Sequence, residues 1–437
     1  MSELNLAEHR AEYGSFKDSL RAPIHRWFMY PAGYSYRLVE SKIEEYGLTS
    51  EGLLLDPFVG CGTTSVVAKQ HGLDSIGIEA HPFVFWVAKT KLFWEYDLAE
   101  LAASSEDAYL SASFGDIDKA KERVEGGAFP DLVVRCFSQE NLAKLLLLRD
   151  AVEALAVCEE VRDFLKLALT HTLRTVSTAG TGWPYIAPSV YHAKTVKRDA
   201  LKEFHSQARR MYEDIVAVRA SLGAKRSTHR LVLGDARCIP PSVEDNSVDL
   251  VITSPPYLNN YDYADRTRLE TYFFGLASSW HDITEQVRKK LIMSATTQVN
   301  RSERNHGDVL GEAIRRRAPH VHGKLLSKIQ ALADIRNSKG GKKSYDLMVA
   351  GYFEDMFKVV EQVWRVLKPG GVFVLVLGDS APYGVYVPTD FIIGDLALAV
   401  GFESYQVEML RTRGGKWAGN PQRHKEILRE SIVTIVK

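Results

Sequence analysis

Short apolar runs that stop at glycine, proline or an acid recur along the chain and alternate with stretches of helical period. Residues 53–55, Leu-Leu-Leu, run into Asp56-Pro57-Phe58-Val59-Gly60-Cys61-Gly62-Thr63-Thr64. That is the pattern of a buried strand ending in a glycine turn, and residues 64–71 then have the spacing of a helix. Residues 75–79, Ser-Ile-Gly-Ile-Glu, predict a second strand with an acid at its end. Val232-Leu233 stops at Gly234-Asp235, and residues 248–253, VDLVIT, stop at Ser254-Pro255-Pro256-Tyr257. Residues 352–367 predict an amphipathic helix halted by Lys368-Pro369-Gly370-Gly371, residues 372–377 a further strand, and residues 427–436 a late alternating one. Strands alternating with helices predict an α/β fold, a Rossmann-like, doubly wound and mostly parallel sheet with helices on both faces. The unusual residues fall just beyond strand ends, where open α/β sheets bind their ligands.

Two stretches break this rhythm. Residues 98–225 are largely helical in pattern. Residues 275–345 are basic: positions 288 to 343 hold fourteen Lys/Arg against four Asp/Glu, in a chain whose 55 Lys+Arg and 55 Asp+Glu balance to +0. Attraction to a polyanion must therefore be local. Arg315, Arg316 and Arg317, with Lys342 and Lys343, are the candidate phosphate contacts, and a solvated helix or loop is the plainer alternative. The division expected is 1–97 and 226–274 as catalytic pieces, 98–225 as a helical insertion, 275–345 as a basic insertion, and 346–437 as the last catalytic piece.

At 437 residues and 49.0 kDa, with 45% hydrophobic and 25% charged residues, the chain is long enough for two or three globular domains. Disorder, a collagen-like fibre and a disulfide scaffold are excluded. The four cysteines form no CxxC, so no metal site is expected. The polar, acid-bearing start is unlike a signal peptide, and no stretch approaches 18 apolar residues. A cytoplasmic setting without membrane contact is the expectation.

The glycine turn lets a ligand approach the backbone N–H groups at a helix start, and Gly60 and Gly62 remove side chains that would obstruct it. Glu79, at the end of the next strand, is spaced to take ribose hydroxyls. There is no GxGxxG and no GK[ST], and the leading Asp56 would repel phosphate. A cationic or zwitterionic ligand suits it better, and S-adenosylmethionine is one. In the second motif, two prolines remove two N–H donors. The Ser254 oxygen and a proline carbonyl can then hold an exocyclic amine by its two hydrogens, with Tyr257 stacked on the ring that carries it. A rigid turn with a core tyrosine is the plain alternative.

Together, DPFVGCGTT and TSPPY resemble the exocyclic-amino DNA methyltransferase family, which modifies cytosine N4 or adenine N6 with S-adenosylmethionine. The likeness covers roughly 20–95, 228–275 and 350–437. Residues 24–36, IHRWFMYPAGYSY, resemble more loosely the family segment that closes over the methionine end of the cofactor. The resemblance implies that Asp56, Phe58, Gly60, Gly62 and Thr63 line the cofactor pocket, that Glu79 binds the ribose and that Asp235 takes the adenine edge. Ser254, Pro255 and Tyr257 would hold a base flipped out of double-stranded DNA, with Pro256 shaping the loop. A serine in first place favours cytosine N4 over adenine N6 in this family. C5 chemistry would need a nucleophile, usually a cysteine after a proline, and none of the four cysteines follows one. The family also implies a nucleoid-associated enzyme of restriction–modification systems, with a cognate endonuclease acting separately. An RNA amino-methyltransferase and a non-catalytic nucleic-acid-binding module remain as alternatives.

Overall fold

The computed structural model describes residues 12–30, 33–180, 186–191, 198–222, 226–299, 310–338, 343–413 and 426–437. Its strands are β1 (Leu53–Asp56), β2 (Asp74–Glu79), β3 (Ala179–Gly180), β4 (Ala187–Tyr191), β5 (His229–Leu233), β6 (Val248–Thr253), β7 (Leu367–Gly378), β8 (Ser404–Arg413) and β9 (Leu428–Val436). Seven form one sheet in the order β5-β2-β1-β6-β7-β9-β8, and β3 pairs with β4 apart from it. The strands from β5 to β7 pair in parallel, and β9 runs antiparallel to both its neighbours. The doubly wound, mostly parallel sheet expected from the alternation is therefore present. The chain winds outward one way from β1 to β2 and the other way from β6 to β7. The crevice between β1 and β6 is the switch point at which such folds bind ligands.

Alternation along the strands sets the two faces. Leu54, Leu250, Ile252 and Val374 join the buried residues of helices Tyr36–Glu45 and Thr63–His71. Leu55, Val251, Phe373 and Leu375 join those of helices Pro319–Ser338, Tyr345–Val366 and Thr389–Val400. Burying each such side chain contributes about 1.5–3 kcal/mol. Residues 98–222 supply six helices among the described residues, interrupted by the β3–β4 ribbon. They bury Leu145, Leu165, Leu169 and Phe204 in one cluster with Trp27, Val66 and Val87. The helical stretch thus shares a core with the helices that follow β1 and β2 and does not stand off from them.

Some boundaries differ from expectation. The helix ending at Val366 begins at Tyr345, seven residues early, because Leu347, Met348 and Val349 are buried on the same core. Strand β7 begins at Leu367 and carries Lys-Pro-Gly-Gly within it, with a register shift against β6 between Val248 and Leu250 and a Gly370 N–H bond to the Lys437 carbonyl. Among the described residues no helix is long and apolar enough to cross a membrane.

Candidate active site

Two cavities meet at the carboxyl ends of the strands. The first is a cleft open to solvent. Its walls come from the glycine turn after β1, the ends of β2 and β5, the start of the segment after β6, and residues 290–292. The second is a chamber lined by Tyr257, Asn260, Arg411, Arg413 and Glu430, closed on one side by residues 14–17. Gly33 and Tyr263 line both, so the cavities share a wall.

The glycine turn is built for close approach. Gly60 and Gly62 have φ of 54° and 92°, a left-handed backbone that glycine adopts without strain. A Cβ on Gly60 would lie 3.2 Å from the Tyr30 ring. The Gly60 N–H donates to Glu79 Oε2 at 3.0 Å, and the His81 N–H to Glu79 Oε1 at 2.8 Å. Glu79 is thereby held half-buried at the cleft. Burial, the largest influence, pushes its carboxyl up to about 7 against these backbone bonds. Phe58, Gly60, Thr63, Glu79 and Asp235 all line the cleft.

Asp56 and Gly62 do not. Asp56 is fully buried and points into the helix-covered face that holds Leu54. Its Oδ1 accepts from Thr253 Oγ1 at 2.6 Å and from the Phe58 N–H at 3.0 Å. Its Oδ2 accepts from Thr64 Oγ1 at 2.7 Å and Tyr34 Oη at 2.8 Å. Burial raises this carboxyl above the ordinary range, while the hydrogen bonds favour its charged form. All four acceptor positions of the carboxylate are used. The expected direct contact with the ligand is therefore corrected: Asp56 ties the glycine turn to Thr253, the residue before Ser254. Gly62 packs instead against the helix Pro82–Leu92, where a Cβ would meet Ala88 at 3.4 Å.

Asp235 is clamped by Arg237, whose Nε donates to Oδ1 and Oδ2 at 2.9 Å and whose Nη2 donates to Oδ2 at 2.6 Å. Arg237 also reaches Asp355 Oδ1 at 2.9 Å and the Lys290 carbonyl at 3.3 Å. With the Met293 N–H on Asp355 Oδ2 at 3.0 Å, this fastens residues 290–292 as the far wall. The basic stretch thus opens by contributing Lys290, Leu291 and Ile292 to the cleft, a role its charge alone did not announce.

The tetrapeptide spans both cavities. Ser254 and Pro256 line the cleft, and Tyr257 lines the chamber. Pro255 is buried and lines neither. The Ser254 hydroxyl donates to the Val376 carbonyl on β7 at 3.3 Å, which leaves its lone pairs as acceptors. The Tyr257 N–H donates to Tyr263 Oη at 3.3 Å. Asn259 turns the chain with a φ of 57°, a conformation asparagine tolerates. Asn260 lines the chamber, whereas Tyr261 and Arg266 are buried. Tyr30 and Tyr34, from the loosely matching 24–36 segment, and Tyr263, which no motif marked, complete the walls.

The basic residues are divided between the two ends of the sheet. Arg317 pairs with Glu361 and donates to the Val400 carbonyl at 3.2 Å. Both partners lie near the ends of helices that lead into the first residues of β7 and β8. The structure therefore puts Arg315, Arg316 and Arg317 at the strands' amino end, away from the two cavities, with Arg315 paired to Glu312. Lys343 stands before the opposite end of helix Tyr345–Val366, on the cavity side. Lys342 lies outside the described residues.

A family model described as DNA methylase matches residues 8–90. The chain is 25% identical to the Type II methyltransferase M.BsoBI of Geobacillus stearothermophilus, over 96% of this chain and 87% of that protein. It is 24% identical to M.AvaI of Nostoc sp., over 92% and 83%, and 22% identical to M.MvaI of Kocuria varians, over 88% and 82%, both likewise Type II methyltransferases. The glycine turn that borders the cleft lies within the matched segment, and the relatives extend the likeness across the sheet and both insertions: the chain is similar to Type II methyltransferases over most of its length.

Proposed function

We propose that the protein is a site-specific DNA methyltransferase that modifies the exocyclic amine of an extruded base, cytosine N4 in the first place and adenine N6 as the alternative. The observation that carries this reading is the tetrapeptide spanning two cavities with a shared wall: Ser254 faces the cleft while Tyr257 faces the chamber.

The cleft suits S-adenosylmethionine. Phe58, Ile78 and Ile292 offer an apolar slot for a flat heterocycle, and Glu79 and Asp235 offer acceptors to a diol and an amine. When bound, the cofactor supplies an electrophilic methyl group on a sulfonium. The protein's own part is positioning. Extruding a base costs a few kcal/mol, offset in part by stacking on Tyr257 in a chamber of aromatic side chains. Ser254, its proton engaged by Val376, accepts from the amine and orients the nitrogen lone pair toward the cleft. With the cofactor bound, the nitrogen so oriented would take the methyl group in exchange for an amine proton, which has a route to solvent through the open cleft. Orientation of this kind supplies up to about 7–11 kcal/mol. The neutral Ser254 hydroxyl suits an amine beside ring N3, which supports cytosine.

Lys17, Arg411 and Arg413 at the chamber, with Lys343 at the same end of the sheet, support DNA approaching the strands' carboxyl ends. The relatives' designation as Type II methyltransferases supports a restriction–modification role with a separate cognate endonuclease. Purified protein given methyl-labelled cofactor should label unmethylated double-stranded DNA. Label entering RNA alone would contradict the reading.

Glu79 gives a pH signature. A diol bound to the carboxylate lowers a pKa that stands near 7 without ligand, so binding releases a proton and tightens as pH rises. Cofactor affinity, measured by calorimetry, should be about tenfold higher at pH 8 than at pH 6 relative to Glu79→Gln, whose ratio lacks this proton. Equal pH dependence in the two proteins would remove Glu79 from the ribose site.

A further inference from the structure

Resting on the chamber as the target-base pocket, a second inference concerns what holds Tyr257. Three strands put one residue each on a single rung there. Gly378 of β7 is opposite Glu430 of β9, and Glu430 is opposite Arg411 of β8. The register shift between Met409 and Arg411 brings Arg411 to that place. Glu430 is 3% exposed. Its Oε1 accepts from the Tyr257 hydroxyl at 3.1 Å and its Oε2 from Arg411 Nε at 2.6 Å. A buried carboxylate is tolerated only with such partners. Residues at the start of the chain cover it from outside: a Cβ on Gly14 would collide with the Glu430 carboxylate, and Arg411 Nη2 donates to the Gly14 carbonyl at 3.4 Å.

The other side of the ring is fixed too. A Cβ on Gly378 would come within 2.7 Å of Tyr257 Cδ2 and collide with the Arg413 guanidinium. That guanidinium lies over the ring, 5.1 Å from its centroid, and donates over a long 3.4 Å to the Asp379 carbonyl. A planar group therefore already rests on the Tyr257 face, held by contacts that a base can replace.

We propose that Glu430 is a positioning residue for the transfer: acting through the Tyr257 hydroxyl, it fixes the ring on which the target base stacks. The test is a cycle of Tyr257→Phe, Glu430→Ala and the double variant, read as single-turnover methyl transfer at saturating cofactor and DNA. Tyr257→Phe removes the hydroxyl alone and should slow transfer about tenfold, with cofactor affinity within about twofold of wild type. Glu430→Ala should slow transfer by a similar factor in wild type and by less than about twofold in Tyr257→Phe. Its effect on melting, from the orphaned Arg411, should appear in both backgrounds. If Glu430→Ala does not fold, Glu430→Gln takes its place in the cycle, with a smaller loss that should likewise vanish in Tyr257→Phe. Losses that multiply, or a Tyr257→Phe variant as fast as wild type, would overturn the role of Glu430 alone. A wild-type protein that transfers no methyl group to DNA would overturn it together with the reading on which it rests.

Discussion

Asp56→Ala is expected to lower folding stability by about 3–5 kcal/mol, one of the largest effects of any single substitution at the site. The reason is the number of donors left behind. Thr253, Thr64 and Tyr34 each present a hydroxyl to the carboxylate, Phe58 presents its N–H, and no solvent reaches the spot. Tyr34 and Thr64 also contact each other, so part of the loss is recovered. Asp56→Asn keeps the shape and one carbonyl oxygen, and the hydroxyls can rotate to accept from the new amide. It should cost about 1–2 kcal/mol. Thermal melting of the two variants beside wild type checks the ranking. If Asp56→Ala melted with wild type and lost only cofactor affinity, Asp56 would be a ligand contact after all and the buried network would be incidental.

Ser254→Ala should have the largest effect on turnover, a fall of about 10²–10³-fold with cofactor affinity near that of wild type. The substitution removes one oxygen from a turn held by two prolines and by the Tyr257–Tyr263 contact, so the backbone has little reason to move. The β7 carbonyl of Val376 loses a single donor at 3.3 Å. A loss confined to kcat marks an interaction made in the transition state. A loss confined to cofactor binding would instead make Ser254 part of the cleft wall only.

Much of the sheet is legible in the sequence because its central strands are short, apolar and sharply ended. β6 is VDLVIT in both readings, and β1 and β2 differ by a residue at one end. The edges are harder. β5 carries mixed, half-exposed residues, HRLVL, and its polar His229 and Arg230 blur the apolar signal. β8, SYQVEMLRTR, is a largely polar edge strand with a register shift, and nothing in its composition marks it. Helix Thr389–Val400 is apolar on nearly every side and gives no amphipathic period.

The site follows the same division. Residue types pointed to Glu79, Ser254 and Tyr257, which line the two cavities, but type does not give direction. Asp56 lies one position from Leu55, and that parity turns it to the helix-covered face and away from the ligand. Arg315, Arg316 and Arg317 show the matching limit of charge counting. A run of arginines has no address until the fold assigns one, and here the third is spent on Glu361 at the far end of the sheet. Glu430 and Arg411 escaped notice because they come from strands far along the chain, joined to the tetrapeptide only by the rung across β7, β9 and β8.

In the proposed reaction Ser254 and Tyr257 present an exocyclic amine to the cleft. Expressing the protein in a host without DNA methylation, digesting the genomic DNA to nucleosides and weighing them by mass spectrometry tests this most directly. N4-methylcytosine is expected in the wild type and none with Ser254→Ala; N6-methyladenine would keep the mechanism and change the base. 5-Methylcytosine, or unmodified DNA from cells holding folded, cofactor-binding protein, would contradict it.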